Sequence, residues 1–153
     1  MEPVITIYTD GGASGNPGPG GLGVVMMLGK HRKEISEGFR HTTNNRMELL
    51  AVIRGLEAIK WEKAKVKFYT DSKYVSEAVN QGWLLKWEKN SFKKKKNSDL
   101  WIRFLVLYRK HNVEINWVKG HANIPENERC DELAVNAYKN GPLSIDQAYE
   151  STI

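Results

Sequence analysis

Apolar positions along the chain change period several times, and each change marks an element. VITIYT, residues 4–9, is β-branched and aromatic and predicts a strand ending at Asp10. LGVVMMLG (22–29) and KEISEGFR (33–40) predict two more strands, with GKHR as the turn between them. In TTNNRMELLAVIRGLEAIKW the period lengthens. Leu49, Val52, Ile53, Leu56 and Ile59 fall on one helical stripe, with Thr43 or Asn44 as N-cap and Trp61 packing at its close. VKFYT (66–70) returns to strand and meets Asp71. DSKYVSEAVNQG predicts a short helix capped near Asp71 or Ser72 and stopped by Gly82; WLLKW is a further helical piece. DLWIRFLVLYRKH (99–111) predicts a helix, VEINWV (113–118) a strand, KGHANIPEN a loop and ERCDELAVNAY (128–138) a last helix. The tail from about Gly141 is expected to be loosely held.

The resulting order is β-β-β-α-β-α-α-α-β-α. Short links between the first three strands imply antiparallel pairing, and the later strands, separated by helices, imply parallel addition. The fold class is α/β. The 153 residues suffice for one domain with a real core, taken as 1–153.

One glycine-rich stretch raises a different possibility. GPGGLG, Gly18 to Gly23, fits G-x-G-x-x-G and follows a strand. A dinucleotide fingerprint opens into a helix whose N-terminal amides hold the pyrophosphate. These glycines run instead into VVMML, and Pro17 and Pro19 interrupt them, so no nicotinamide cofactor is expected. A long hairpin turn accounts for them. So does close approach of a second backbone, and a nucleic-acid strand is the preferred one.

Composition narrows the partners. Hydrophobic residues make up 41% and charged residues 27%, the balance of a globular protein. The single Cys130 forms no internal disulfide, no basic leader precedes a long apolar run, and no stretch is apolar enough to span a bilayer. A cytoplasmic protein without a membrane partner is expected. The formal net charge is +5 and the pI is near 9.3. KWEKNSFKKKK, Lys86 to Lys96, concentrates six lysines against one acid, which favours a polyanion such as nucleic acid.

YTDG and FYTDS are near copies that place Asp10 and Asp71 at the ends of two strands. If those strands are parallel neighbours, the carboxylates lie side by side at the carboxyl edge, where α/β sheets bind ligands. Glu48 and Asp131 stand early in two helices, where each alone would be an ordinary dipole partner. Clustered carboxylates raise one another's pKa unless cations neutralise them. Such oxygen-rich sites suit Mg²⁺ or Mn²⁺, and paired ions support phosphodiester hydrolysis. Spacing leaves open whether the four converge.

YTDGGASGNPGPGG, TTNNRMEL, YTDSKYV and WVKGHANIPENERCDELA, in that order from Ile5 to about Tyr138, resemble the bacterial-type ribonuclease H family. The resemblance implies a five-stranded mixed sheet flanked by helices. It implies metal-dependent endonucleolytic cleavage of the RNA strand of RNA–DNA hybrids, leaving 5′-phosphate and 3′-hydroxyl ends. By the same likeness Asp10, Glu48, Asp71 and Asp131 bind two Mg²⁺ ions, with Mn²⁺ as a substitute, and His121 assists proton movement or product release. Gly11, Gly12, Ala13, Asn16, Asn44 and Asn45 match residues that read the hybrid's minor groove, including the 2′-hydroxyls only RNA carries. Thr43 and Asn97 match two parts of a pocket for a DNA-strand phosphate. The third part is often Arg; here it is His41, with Arg40 beside it as possible help.

WLLKWEKNSFKKKK resembles the family's basic protrusion. Trp83 and Trp87, four apart, share a helix face and either pack together or meet DNA. Lys86, Lys89 and the run including Lys93 and Lys94 would contact phosphates in a salt-sensitive way. Phe92 replaces a frequent Trp. Trp101 and Trp117 are expected in the core, and Cys130 is expected to be a structural thiol. A monomer is the default. Two other readings stay open: a catalytically inactive hybrid-binding module and a transposase- or resolvase-like nuclease core.

Overall fold

The structure, a computed structural model, describes residues 3–120 and 122–153. Three long antiparallel strands come first: β1 (Val4–Ala13), β2 (Gly18–Leu28) and β3 (His31–Thr42). Helix α1 (Asn44–Glu57) leads to β4 (Lys65–Thr70). Then follow α2 (Lys73–Asn80), α3 (Trp83–Lys89), α4 (Ser98–Tyr108), β5 (Asn112–Trp117) and α5 (Pro125–Asn140). The chain closes with β6 (Leu143–Ser144) and α6 (Gln147–Glu150).

The sheet order is β5-β4-β1-β2-β3-β6, with β4 parallel to β1 and β5 parallel to β4. The expected mixed sheet is present with six strands rather than five. The extra one is the two-residue β6, parallel to β3 at Gly38 and Phe39, too short to leave a periodic signal in the sequence.

Alternation along β1 and β2 sorts side chains onto two faces. Ile5, Ile7, Leu22 and Val24 point into the main core with Leu49, Ile53, Phe68, Trp101 and Phe104. Burying each of the large side chains is worth roughly 1.5–3 kcal/mol. Val25, with Gly21 and Gly23 of β2 and Gly38 of β3, turns to the other face, where the glycines lie under α5. There a Cβ at Gly21 or Gly23 would collide with the carbonyls of Ala134 or Cys130. The stretch read above as a possible fingerprint is therefore strand, with Gly20 to Gly23 paired in register with Ala13 to Asp10 of β1. The backbone it admits is α5 of the same chain.

The first helix stops at Glu57, short of the stripe's expected end, and Trp61 lies beyond it, 46% exposed. Trp101 is wholly buried as expected. Trp117, by contrast, is 45% exposed, because its strand is the sheet's edge and it stands at the open end.

The tail is docked, contrary to the expectation that it is loosely held. Asp146 is buried, and both of its carboxylate oxygens accept from Arg46, at 2.7 and 3.0 Å. Thr42 Oγ1 donates to the same carboxylate at 2.7 Å. Arg40 forks onto Glu150, and the ring of His41 lies 5.6 Å from that of Tyr149. A buried arginine needs anionic partners, and here the tail supplies one of the two.

Candidate active site

Parallel pairing of β1 with β4 brings Asp10 and Asp71 to the same sheet edge, directly after the paired residues Thr9 and Thr70. Glu48 reaches them from α1. It can do so because Gly11 has no side chain: a Cβ there would stand 2.6 Å from the Glu48 amide and closer still to Met47. Helix and strand backbones thus touch, and Glu48 extends over the strand end.

One carboxylate oxygen from each of Asp10, Glu48 and Asp71 lies within 4.8 Å of the others. Asp10 accepts from the Gly11 amide at 2.9 Å, and Glu48 Oε1 is buried without a hydrogen-bond partner. Burial, then the charges of Asp71 and Asp131, push the Asp10 carboxyl up to about 8. Glu48 is likewise held well above its ordinary range, by burial first and then by Asp10 and Asp71. Asp131, exposed on α5, borders the same cavity of about 610 Å³, outside the tight trio. Three converging acids, one with an orphaned buried oxygen, fit a hard divalent cation, which would satisfy the oxygen and cancel the repulsion. His121 lies outside the described residues.

The remaining positions read from the sequence form the walls. Asn44 Oδ1 accepts from the Ala13 amide at 2.6 Å, and the Asn44 amide donates to Asn16 Oδ1 at 2.9 Å. This ties the hairpin end containing Gly11, Gly12 and Ala13 to the start of α1. Capping falls to Thr43, whose Oγ1 accepts from the Arg46 amide, which leaves Asn44 free for that tie. Asn45 lines the acidic cavity and also a second one of about 720 Å³.

Asn16, Thr43 and Asn97 line the second cavity with Lys95, Lys96 and Tyr149. Asn97 Nδ2 donates to the Tyr74 hydroxyl at 3.0 Å, which also accepts from Trp101 Nε1. Arg40, considered above as help for His41, has its guanidinium taken up by Glu150.

In the basic segment Trp87 packs edge-on against Trp101 at 5.7 Å and carries Lys95 Nζ 4.9 Å over its ring. Trp83 remains 41% exposed, and Lys93 and Lys94 face solvent. Cys130 is buried, its thiol donates to the Tyr8 carbonyl at 3.1 Å, and burial pushes its pKa up, as suits a structural thiol.

Sequence reasoning missed the contribution of Lys73, Tyr74 and Asn127 to the acidic cavity and of Tyr149 to the second. Lys73 and Tyr74 follow Asp71 within YTDSKYV, so proximity to an acid was the available signal. Tyr149 had none, since its place depends on the docked tail.

A family model described as RNase H matches residues 2–139. The chain belongs to the ribonuclease H family. It is 60% identical over 147 residues to the ribonuclease H of Desulforamulus reducens, a match covering 93% of this chain and 92% of that protein. Among solved structures it resembles LC9-RNase H1, described as a type 1 RNase H with the type 2 active-site motif. The TM-score is 0.84 at 32% identity, covering 99% of this chain and 81% of that one. LC11-RNase H1, solved in complex with an RNA/DNA hybrid, aligns with a TM-score of 0.64 at 27% identity, covering 88% and 96%. Among the described residues, no helix is long and apolar enough to cross a membrane.

Proposed function

We propose that the chain is an endoribonuclease that hydrolyses the RNA strand of RNA–DNA hybrids, leaving 5′-phosphate and 3′-hydroxyl ends. Residues 1–153 form one catalytic unit in this reading, working as a monomer in the cytoplasm. The observation that carries it is the acid trio: Asp10, Glu48 and Asp71 converge within 4.8 Å, with a buried Glu48 oxygen unpartnered. Family membership supports the reaction class, and the hybrid-bound relative supports the substrate.

Asp10, Glu48 and Asp71 would hold divalent metal, with Asp131 at the rim; Mg²⁺ is the proposed ion, in a pair, with Mn²⁺ able to replace it. When bound, such ions make water a competent nucleophile at neutral pH and offset charge on the leaving oxygen. The chain's own residues do the rest. Gly11, Gly12, Ala13, Asn16, Asn44 and Asn45 present backbone and amide groups to the hybrid's minor groove, where 2′-hydroxyls distinguish RNA. Thr43 and Asn97 line the place for a DNA-strand phosphate. Lys93 and Lys94 contribute long-range attraction, and Trp83 offers an exposed ring at the start of α3. His121 is proposed to move a proton or help product leave.

The test is a labelled hybrid incubated with Mg²⁺, with and without chelator, beside duplex RNA, duplex DNA, single-stranded RNA and the Asp10→Asn variant. RNA cleavage confined to the hybrid and lost with chelator or in the variant supports the proposal. Hybrid binding without cleavage in Mg²⁺ or Mn²⁺ would make the chain a binding module, and cleavage of duplex DNA would point to a transposase-like core.

A further inference from the structure

Asp71 sits between β4 and α2, at a point where backbone groups lose their regular partners. Its neighbours are fixed: the Val118 amide donates to the Thr70 carbonyl at 2.8 Å, and the Ser72 amide donates to Thr70 Oγ1 at 3.1 Å. The Asp71 carbonyl precedes the helix cap and has no place in the helical ladder. It accepts instead from the indole N–H of Trp117 at 3.0 Å.

Trp117 is an unexpected residue in this position. Nearly half its surface faces solvent, so burial alone does not explain it. Its ring is held from one side by Lys73, the first residue of α2, with Nζ 5.0 Å from the centroid. Beyond β5, Gly120 comes close to the acid. A Cβ at Gly120 would stand 3.0 Å from Asp71 Oδ2. Trp117 and Gly120, three residues apart, therefore meet Asp71 at its carbonyl and at its carboxylate.

We propose that Trp117 is a positioning residue for Asp71. Its indole N–H pins the peptide that sets the direction of the carboxylate, and Gly120 leaves Oδ2 room to stay there. The inference rests on reading Asp71 as a metal ligand. Partners of metal ligands commonly matter because they hold the ligand's orientation when the ion enters.

The experiment compares the parent chain with Trp117→Phe, which keeps a ring over Lys73 but removes the donor. A second form carries benzothienylalanine at 117, which replaces only the N–H by sulfur. Mn²⁺ binding is measured without substrate, by loss of the free-ion EPR signal, and kcat and KM are measured on a hybrid. Loss of one such hydrogen bond predicts about five-fold weaker Mn²⁺ binding in both variants. A matching fall in kcat at limiting metal should accompany it, with KM for the hybrid unchanged. Gly120→Ala should weaken Mn²⁺ binding in the same direction.

A packing role alone would lower the unfolding temperature and leave Mn²⁺ affinity where it was, and that result overturns the proposal. So does parental affinity in the benzothienyl form, even if Trp117→Phe is impaired by misfolding. If the parent itself neither binds Mn²⁺ nor cleaves hybrid, the metal reading of the acid trio fails first, and the positioning role falls with it. Parental cleavage with unaltered variants sinks the positioning role alone.

Discussion

Asp10→Asn separates the cost of the acidic cavity from its use. The Asp10 carboxyl binds its proton more tightly in the folded chain, where its pKa is about 8, than in the unfolded chain, near 3.8. The folded state is thus favoured by protonation, and its stability falls as pH rises from about 4 to about 8. Each pH interval of one contributes at most about 1.4 kcal/mol, so an isolated carboxyl would destabilise the fold by roughly 6 kcal/mol at pH 8 and above. The neighbouring acids share this protonation, so the whole sum does not belong to Asp10; an effect of ~2 kcal/mol, within the range single substitutions commonly show, is the expected size. Asparagine has the shape of the protonated acid and no charge. In chelator, Asp10→Asn should unfold at a higher temperature than the parent at pH 8.5, by about 4–8 °C for ~2 kcal/mol in a chain of this size. The gap should shrink towards pH 4.5, and divalent metal should stabilise the parent far more than the variant. Calorimetry or circular dichroism at the two pH values, with chelator and then with Mg²⁺, reads all of this. A variant less stable than the parent at pH 8.5 in chelator would refute the claim that the trio is a strained, cation-seeking cluster.

Gly11→Ala should cost well over about 2 kcal/mol in chemical denaturation, because the added methyl overlaps the Met47–Glu48 backbone and forces α1 off the strand. An unchanged midpoint would mean that helix and strand are not in contact there. Asp146→Ala leaves the buried Arg46 with one fewer anion and should destabilise by about 3–5 kcal/mol, measured by urea unfolding. A loss below about 1 kcal/mol would mean the tail is not held by this pair. Replacing Lys93 to Lys96 with Ala should raise KM at physiological salt, flatten its salt dependence and spare kcat. An unchanged KM would remove these lysines from hybrid binding.

The local chemistry of this chain was largely written in its sequence. Alternation in VITIYT and VKFYT and the stripe from Leu49 to Leu56 determined strands and helix, since solvent sorts side chains at the period of the backbone. The twin TD motifs marked two acids at strand ends, and the family motifs marked Glu48 and Asp131. Tertiary structure decided what these residues do to one another. Parallel pairing of β1 with β4 set Asp10 beside Asp71, and a missing Cβ at Gly11 let Glu48 join them. The raised carboxyls of Asp10 and Glu48 exist only once both share a cavity with Asp71. Gly21 and Gly23 of β2 turned out to admit α5, because close backbone contact looks the same in sequence whichever backbone approaches. Trp117 reads as core by composition, yet an edge strand's open end left it half in water with its N–H committed to Asp71. The tail was unreadable for a related reason. Asp146 is an ordinary polar residue until Arg46, a hundred positions away in the chain, needs a counter-charge out of water, and no local pattern records a need of that kind.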